Sequence, residues 1–237
     1  MTGNAPIGEP VDWTPARRPQ RCALDGRLVR LRPVDPDSDA EALFRSSHPP
    51  AGDSEHWTYL PYGPYRDVAG LRARLEETAH SEDPLFLTIV RLPEDKPAGI
   101  ASYLRITPEH GTIEIGHIWF GAELRQSTAA TEAIFLLARE AFDRLGYRRL
   151  EWKCNALNQA SRRAAERFGF RFEGVFRKHQ VVKGRNRDSA WFAITDDEWP
   201  ALRAAYEEWL APENFDAGGR QIRALGHVIA DKARPSG

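Results

Sequence analysis

The stretch "RQSTAATEA", Arg125 to Ala133, sets an arginine and a run of small side chains at the start of an apolar helical pattern. Small residues at Ser127, Thr128, Ala129 and Ala130 leave backbone N–H groups open at the positive end of a helix, an arrangement that suits a pyrophosphate. Arg125 adds a charge nearby. The same stretch also suits an ordinary N-capped helix, with Thr128 as cap and Glu132 favoured by the dipole, so alone it points both ways. Neither G-x-x-x-x-G-K-[ST] nor G-x-G-x-x-G is present, which ranks a nucleotide-binding α/β enzyme last.

The elements that must position this turn follow from periodicity. "GRLVRLRPV" alternates Val29 and Leu31 with arginines, as a half-buried strand does, and Pro33 ends it. A helix is expected from about Asp39, and Val68, Leu71 and Leu75 mark one face of a second. Strands at Leu85 to Val90, Ala98 to Ile106 and Thr112 to Phe120, with short turn-rich links, make an antiparallel meander. From about Thr128, Ala130, Ala133, Ile134, Leu137, Ala141 and Leu145 keep helical spacing, and Gly146 supplies the stop. "RRLEWKCN" alternates again and should pair in parallel after this crossover. A short helix over "NQASRRAAERFGF" ends at Gly169, strands follow around "FRFEGVF" and "SAWFAI", and "TDDEWPALRAAYEEWL" closes with an amphipathic helix. Residues 1–24, with their scattered prolines, read as an arm laid over a domain spanning 25–210, and 211–237 as a peripheral tail.

Composition narrows the function classes. A chain of 237 residues that is 41% apolar can bury one core unaided. Cys22 and Cys154 show no C-x-x-C spacing, which suggests neither a disulfide framework nor a metal site. There is no run of about 18 apolar residues and no signal-like h-region, so a cytoplasmic protein without membrane contact is expected. A formal net charge of −1 argues against nucleic acid as the main partner.

The order of elements, with "IEIGHIWF" and "NQASRRAAERFGF" at their places in it, resembles the GNAT acyl-CoA N-acyltransferase family, in particular its RimJ/RimL-like branch. The resemblance covers about Leu24 to Trp199. It implies a mixed α+β fold, with a central, mostly antiparallel, seven-stranded sheet, one splayed parallel pair and flanking helices. It also implies acetyl-CoA or another acyl-CoA as co-substrate, no metal, a small-molecule or protein amine as acceptor, and a homodimer as a compatible assembly. A catalytically silent CoA-binding sensor or partner-binding domain with the same fold is the alternative. The family's turn pattern is Q/R-x-x-G-x-G/A. Arg125 and Ala130 match its ends, but Thr128 stands where glycine is usual, and its Cβ narrows the approach to the amides.

The resemblance places the diphosphate along Arg125, Gln126, Ser127, Thr128, Ala129, Ala130 and Thr131. Pantetheine would bond the backbone near Trp119, Phe120 and Gly121, with Asn155 and Asn158 holding its arm and Arg162 or Arg163 meeting a phosphate. Acyl transfer to an amine needs a neutral amine, a stabilised oxyanion and a proton for the leaving thiolate. Glu114 is the candidate base, against a plain solvated or arginine-paired role. His117 competes with it, though a histidine beside aromatics is more often packed core. Ser161 matches the serine that the resemblance makes the thiolate's proton donor, a role compatible with capping its helix. Gln180 stands where the RimL-like pattern carries a glutamate, so that glutamate's role does not transfer. The hairpin cations Lys183, Arg185 and Arg187 are either a solvated turn or a site for a carboxylate of substrate or acyl group.

Overall fold

Val29 and Leu31 are fully buried while Arg30 is exposed, so the alternation read in "GRLVRLRPV" becomes a strand packed on one face. In the computed structural model, which describes residues 7–53 and 55–233, this strand is β2 (Val29–Pro33). It follows a two-residue strand, β1 (Leu24–Asp25). Helices α1 (Pro36–Ser47) and α2 (Val68–Ala79) come next, then β3 (Leu85–Arg91), β4 (Lys96–Thr107) and β5 (Thr112–Phe120). Helix α3 (Thr128–Arg139) runs into a π-turn over Glu140–Arg144, ahead of β6 (Arg149–Asn155) and α4 (Gln159–Arg167). The hairpin β7 (Arg171–Val182) and β8 (Arg185–Thr195) is followed by α5 (Trp199–Leu210) and α6 (Leu225–Lys232).

These strands form one eight-stranded sheet in the order β1-β2-β3-β4-β5-β6-β8-β7. The eighth strand, beyond the seven expected, is β1, whose Leu24 pairs with Leu31 at the sheet edge. All neighbours are antiparallel except β5 and β6. The last hairpin is longer than expected, because "KHQVVKGRNRD" is itself ladder, with Gln180 opposite Arg187 and Val182 opposite Arg185. The main core lies between the sheet and α3, α5 and α6; Phe135 of α3 stacks on Tyr206 of α5 at 5.3 Å. A second cluster fills the other face under α1 and α2, with Trp57 and Trp119 in contact at 5.4 Å.

The amino-terminal segment lies on the domain: Trp13 donates to Glu109 O at 2.9 Å and Arg17 N to Leu145 O at 2.8 Å. Residues 1–6 and 234–237 of the expected arm and tail lie outside the described residues. Within the tail, α6 buries Leu225 and Val228 in the main core. No helix among the described residues is long and apolar enough to cross a membrane.

Candidate active site

Pairing between β5 and β6 runs from Thr112/Arg149 to Ile115/Trp152 and then stops. β5 nevertheless continues to Phe120 and β6 to Asn155, so the two strands part and open a wedge in the middle of the sheet. A bulge shapes its β5 wall. Ser102 faces Gly116 and Ile100 faces Trp119, which leaves an extra residue at His117 and Ile118, with His117 at φ +51°. The bulge inverts the alternation. Ile113 and Ile115 point into the α3 side, and beyond the bulge Ile118 and Phe120 do so, while His117 and Trp119 turn toward α1 and α2.

The wedge is a cleft of about 1060 Å³ lined by β5, β6, α4, the segment after α1 and the last hairpin. Glu114 lines it, 5% exposed, with Lys153 Nζ at 2.6 Å and Arg105 Nε at 3.3 Å. Burial pushes the Glu114 carboxyl above its ordinary range, while Lys153 pulls it back. The Lys153 ammonium also lies 3.4 Å from Glu151 and 3.8 Å from the centre of the Trp191 ring. His117 Nδ1 lies 3.2 Å from the Tyr62 hydroxyl and its ring stacks on Tyr62. Burial, then Arg74 and Arg187, depress its pKa to about 4, so the ring is neutral at pH 7.

On the α4 side, Asn158 caps the helix by accepting from Ser161 N at 3.0 Å. Ser161 Oγ accepts from the Trp152 indole at 3.0 Å, which leaves its own proton available for donation. Asn155 Oδ1 accepts from Leu157 N at 2.9 Å, shaping the turn at the cleft wall. Arg162 does not line the cleft; its guanidinium reaches Ala156 O and lies over Phe172.

The turn before α3 uses its groups unevenly. The cap is Ser127, not Thr128: Ser127 Oγ accepts from Ala130 N at 3.1 Å. Ser127 N donates to Leu124 O and Thr131 N to Ser127 O, and the Thr131 side chain is buried. Among the described residues the amides of Gln126, Thr128 and Ala129 have no acceptor within the chain, so of the turn's N–H groups these are the open ones. Arg125 is not free beside them: its guanidinium holds Asp53 at 2.6 and 3.3 Å and lies 2.9 Å from His56 Nδ1. Gly121 is also committed, with its N–H to Ala98 O at 2.7 Å and its C=O to the amides of Leu124 and Arg125. Trp119 and Phe120 line the cleft beside it, and the Phe120 carbonyl accepts from Arg125 Nε at 3.3 Å. Glu132 is no dipole partner. It is buried and accepts from the amides of Arg27, Leu28 and Val29 at 3.0, 2.6 and 2.9 Å, tying α3 to β2.

Lys153, His56 and Trp191 were missed by sequence reasoning. Lys153 alternates with Trp152 and Cys154 and so reads as an outward residue of β6, but the outward face of β6 is the cleft floor. Among the described residues no group of three or more His, Cys, Asp or Glu is placed to hold a metal.

A mixed sheet splayed at its one parallel pair, with an open helix N-terminus beside the splay, is the architecture of an acyl-CoA-dependent N-acyltransferase. Comparison with known proteins agrees. Residues 28–171 match the model of the acetyltransferase (GNAT) domain. A GCN5-related N-acetyltransferase from Brucella melitensis superposes with a TM-score of 0.90 at 46% identity, over 92% of this chain and 99% of the other. A structure from Chromobacterium violaceum described as a probable acetyltransferase of the GNAT family gives 0.75 at 41% identity, over 84% and 100%. The probable N-acetyltransferase YjcK of Bacillus subtilis is 26% identical over 182 residues, 74% of this chain and 99% of its own. The chain belongs to the GNAT acetyltransferase family and is an acyl-CoA-dependent N-acetyltransferase.

Proposed function

We propose that the chain transfers an acetyl or succinyl-type group from coenzyme A to a primary amine of a small molecule or protein bound in the cleft, with Glu114 as base and Ser161 as proton donor. One observation carries this reading. The β5–β6 splay opens a cleft in which a buried carboxylate from β5 and a hydroxyl from α4, polarised by an indole N–H, line the same space. The amides of Gln126, Thr128 and Ala129 suit the diphosphate, and the unpaired end of β5 offers its backbone to the pantetheine.

An amine arrives mostly as ammonium, with a pKa of about 8 for an α-amine and about 10.4 for lysine, so a proton must leave before attack. Burial raises the Glu114 carboxyl and so strengthens it as a proton acceptor, Lys153 at 2.6 Å opposes that shift by favouring the carboxylate, and the amine's proton passes to Glu114 directly or through water. As the thiolate departs, it takes the Ser161 hydroxyl proton that the bond from Trp152 leaves free, and the serine oxygen is reprotonated in the same step from water in the open cleft. His117, held neutral and stacked on Tyr62, is read as cleft wall rather than base. The test is thiol release on a panel of peptide N-termini, lysines, polyamines and aminoglycosides, with acetyl-CoA and succinyl-CoA as donors. Saturable, amine-dependent release with one donor is expected. Coenzyme A binding with no release on any pairing would refute the catalytic reading.

A further inference from the structure

The cleft carries more positive charge than its own carboxylates hold. Arg125 is matched by Asp53, and Arg105 and Lys153 converge on Glu114, with Glu151 a further partner of Lys153. Arg187 also lines the cleft, yet among the described residues it has neither a hydrogen bond nor an ion pair, and its Nε is buried without a partner. Cys154 and, less, Glu114 favour its charge only from a distance, and Arg105 opposes it.

The ladder shows where this side chain lies. On β8, Arg187 alternates with Ser189 and Trp191, which sit opposite Asn155 and Lys153 of β6. Arg187 is therefore on the same sheet face as the Glu114–Lys153 pair, displaced toward the hairpin end, with Gln180 beside it on β7. The other cations of "KGRNRD" are accounted for. Lys183 donates to Trp57 O and Gly63 O at 2.8 and 2.7 Å, and Arg185 is exposed to solvent. Burial lowers the Arg187 pKa, as expected for a charge drawn from water without an acceptor. A half-buried guanidinium without an acceptor is costly unless something supplies one, and its planar fork of donors matches a carboxylate in bidentate fashion.

We propose that Arg187 is a specificity determinant that binds a carboxylate of the substrate, carried either by the acyl group of a dicarboxylic acyl-CoA or by the acceptor amine. The proposal rests on reading the cleft as the acyl-CoA and amine site. Binding measurements test it independently of turnover. Calorimetric titration of wild type and Arg187→Gln with succinyl-CoA against butyryl-CoA, equal in chain length but lacking the carboxylate, reads the donor source. Titration of the CoA-loaded proteins with 4-aminobutyrate against its amide reads the acceptor source. Plain coenzyme A reports that each variant is folded.

Wild type should favour the carboxylated member of one pair by about tenfold or more, as for a hydrogen bond to a charged group. Arg187→Gln should reduce that preference to within about twofold, and Arg187→Lys, which offers a point charge without the fork, should fall between. If glutamine prevents folding, the intermediate selectivity of the lysine variant carries the same test. Collapse in either pair supports the proposal and identifies the source. No preference in wild type, or a preference that survives the substitutions while coenzyme A still binds, would overturn it. Collapse without acyl transfer on any substrate would sink the catalytic reading alone.

Discussion

Replacing Glu114 by glutamine should leave Lys153 in difficulty. The lysine side chain is 3% exposed, and its shortest contact to a carboxylate is the 2.6 Å one to Glu114. Removing one member of a buried pair costs roughly 3–5 kcal/mol. Here Glu151 at 3.4 Å and the Trp191 face at 3.8 Å remain, so we expect a loss of about 2–3 kcal/mol for Glu114→Gln. Adding Lys153→Met removes the stranded ammonium and should restore most of that loss, so the effects of the single changes should not add. Urea unfolding at pH 7 measures all the variants. Glu114→Gln within about 0.5 kcal/mol of wild type, or a double variant whose loss equals the sum of the singles, would refute the account of the pair. The stabilised double variant also isolates catalysis: if Glu114 is the base, it should stay inactive at neutral pH and recover partly at high pH, where free amine is abundant. In Lys153→Met alone, losing the ammonium that lowers the Glu114 pKa against burial should move the ascending limb of the kcat/KM profile to higher pH.

Further expectations concern the other cleft residues. Ser161→Ala should lower kcat by about tenfold to a hundredfold with little change in donor affinity, because thiolate protonation follows the start of attack; an unchanged kcat at saturation would remove Ser161 from the chemistry. His56 and His117 are both depressed to about 4, mainly by burial, while the unfolded chain binds those protons near 6.5. Their contribution to stability should therefore be complete above about pH 6.5 and fade as pH falls toward 4. His117→Asn and His56→Gln should each flatten that slope in urea midpoints between pH 7.5 and 4.5, and a double variant as steep as wild type would contradict it.

Residues that repeat with a period are legible from the chain alone. β5 spans Thr112–Phe120 and α3 starts at Thr128, as alternation and helical spacing indicate. Even the bulge left a trace, since "IEIGHIWF" keeps Ile113 and Ile115 in step and then resumes at Ile118 and Phe120, one residue out of phase. The final hairpin is legible but its outer half is not, because the pairing there is carried by main chain under Lys, Arg and Asn side chains that read as a loop. Glu132 was misjudged because its partners, the amides of Arg27 to Val29, lie more than 100 positions away and have no side-chain signature. Glu114, His117 and Ser161, singled out in the sequence, all line the cleft. Lys153 was not singled out, because alternation says which residues share a face but not whether that face meets bulk water or a cleft.

The anchoring of the cleft roof bears on how this scaffold can be altered. Lys183 grips Trp57 and Gly63 by their carbonyl oxygens, so the hold does not depend on the side chains strung between them. Trp57 is packed in the core, and position 63 has φ +62° with the Trp57 ring where a Cβ would stand, so these two posts are not free to change. Thr58, Tyr59, Leu60 and Pro61 hang between the posts and line the cleft. A library confined to these positions would recast one wall of the cleft while the loop keeps its moorings, which makes this span a natural cassette for varying what the cleft admits.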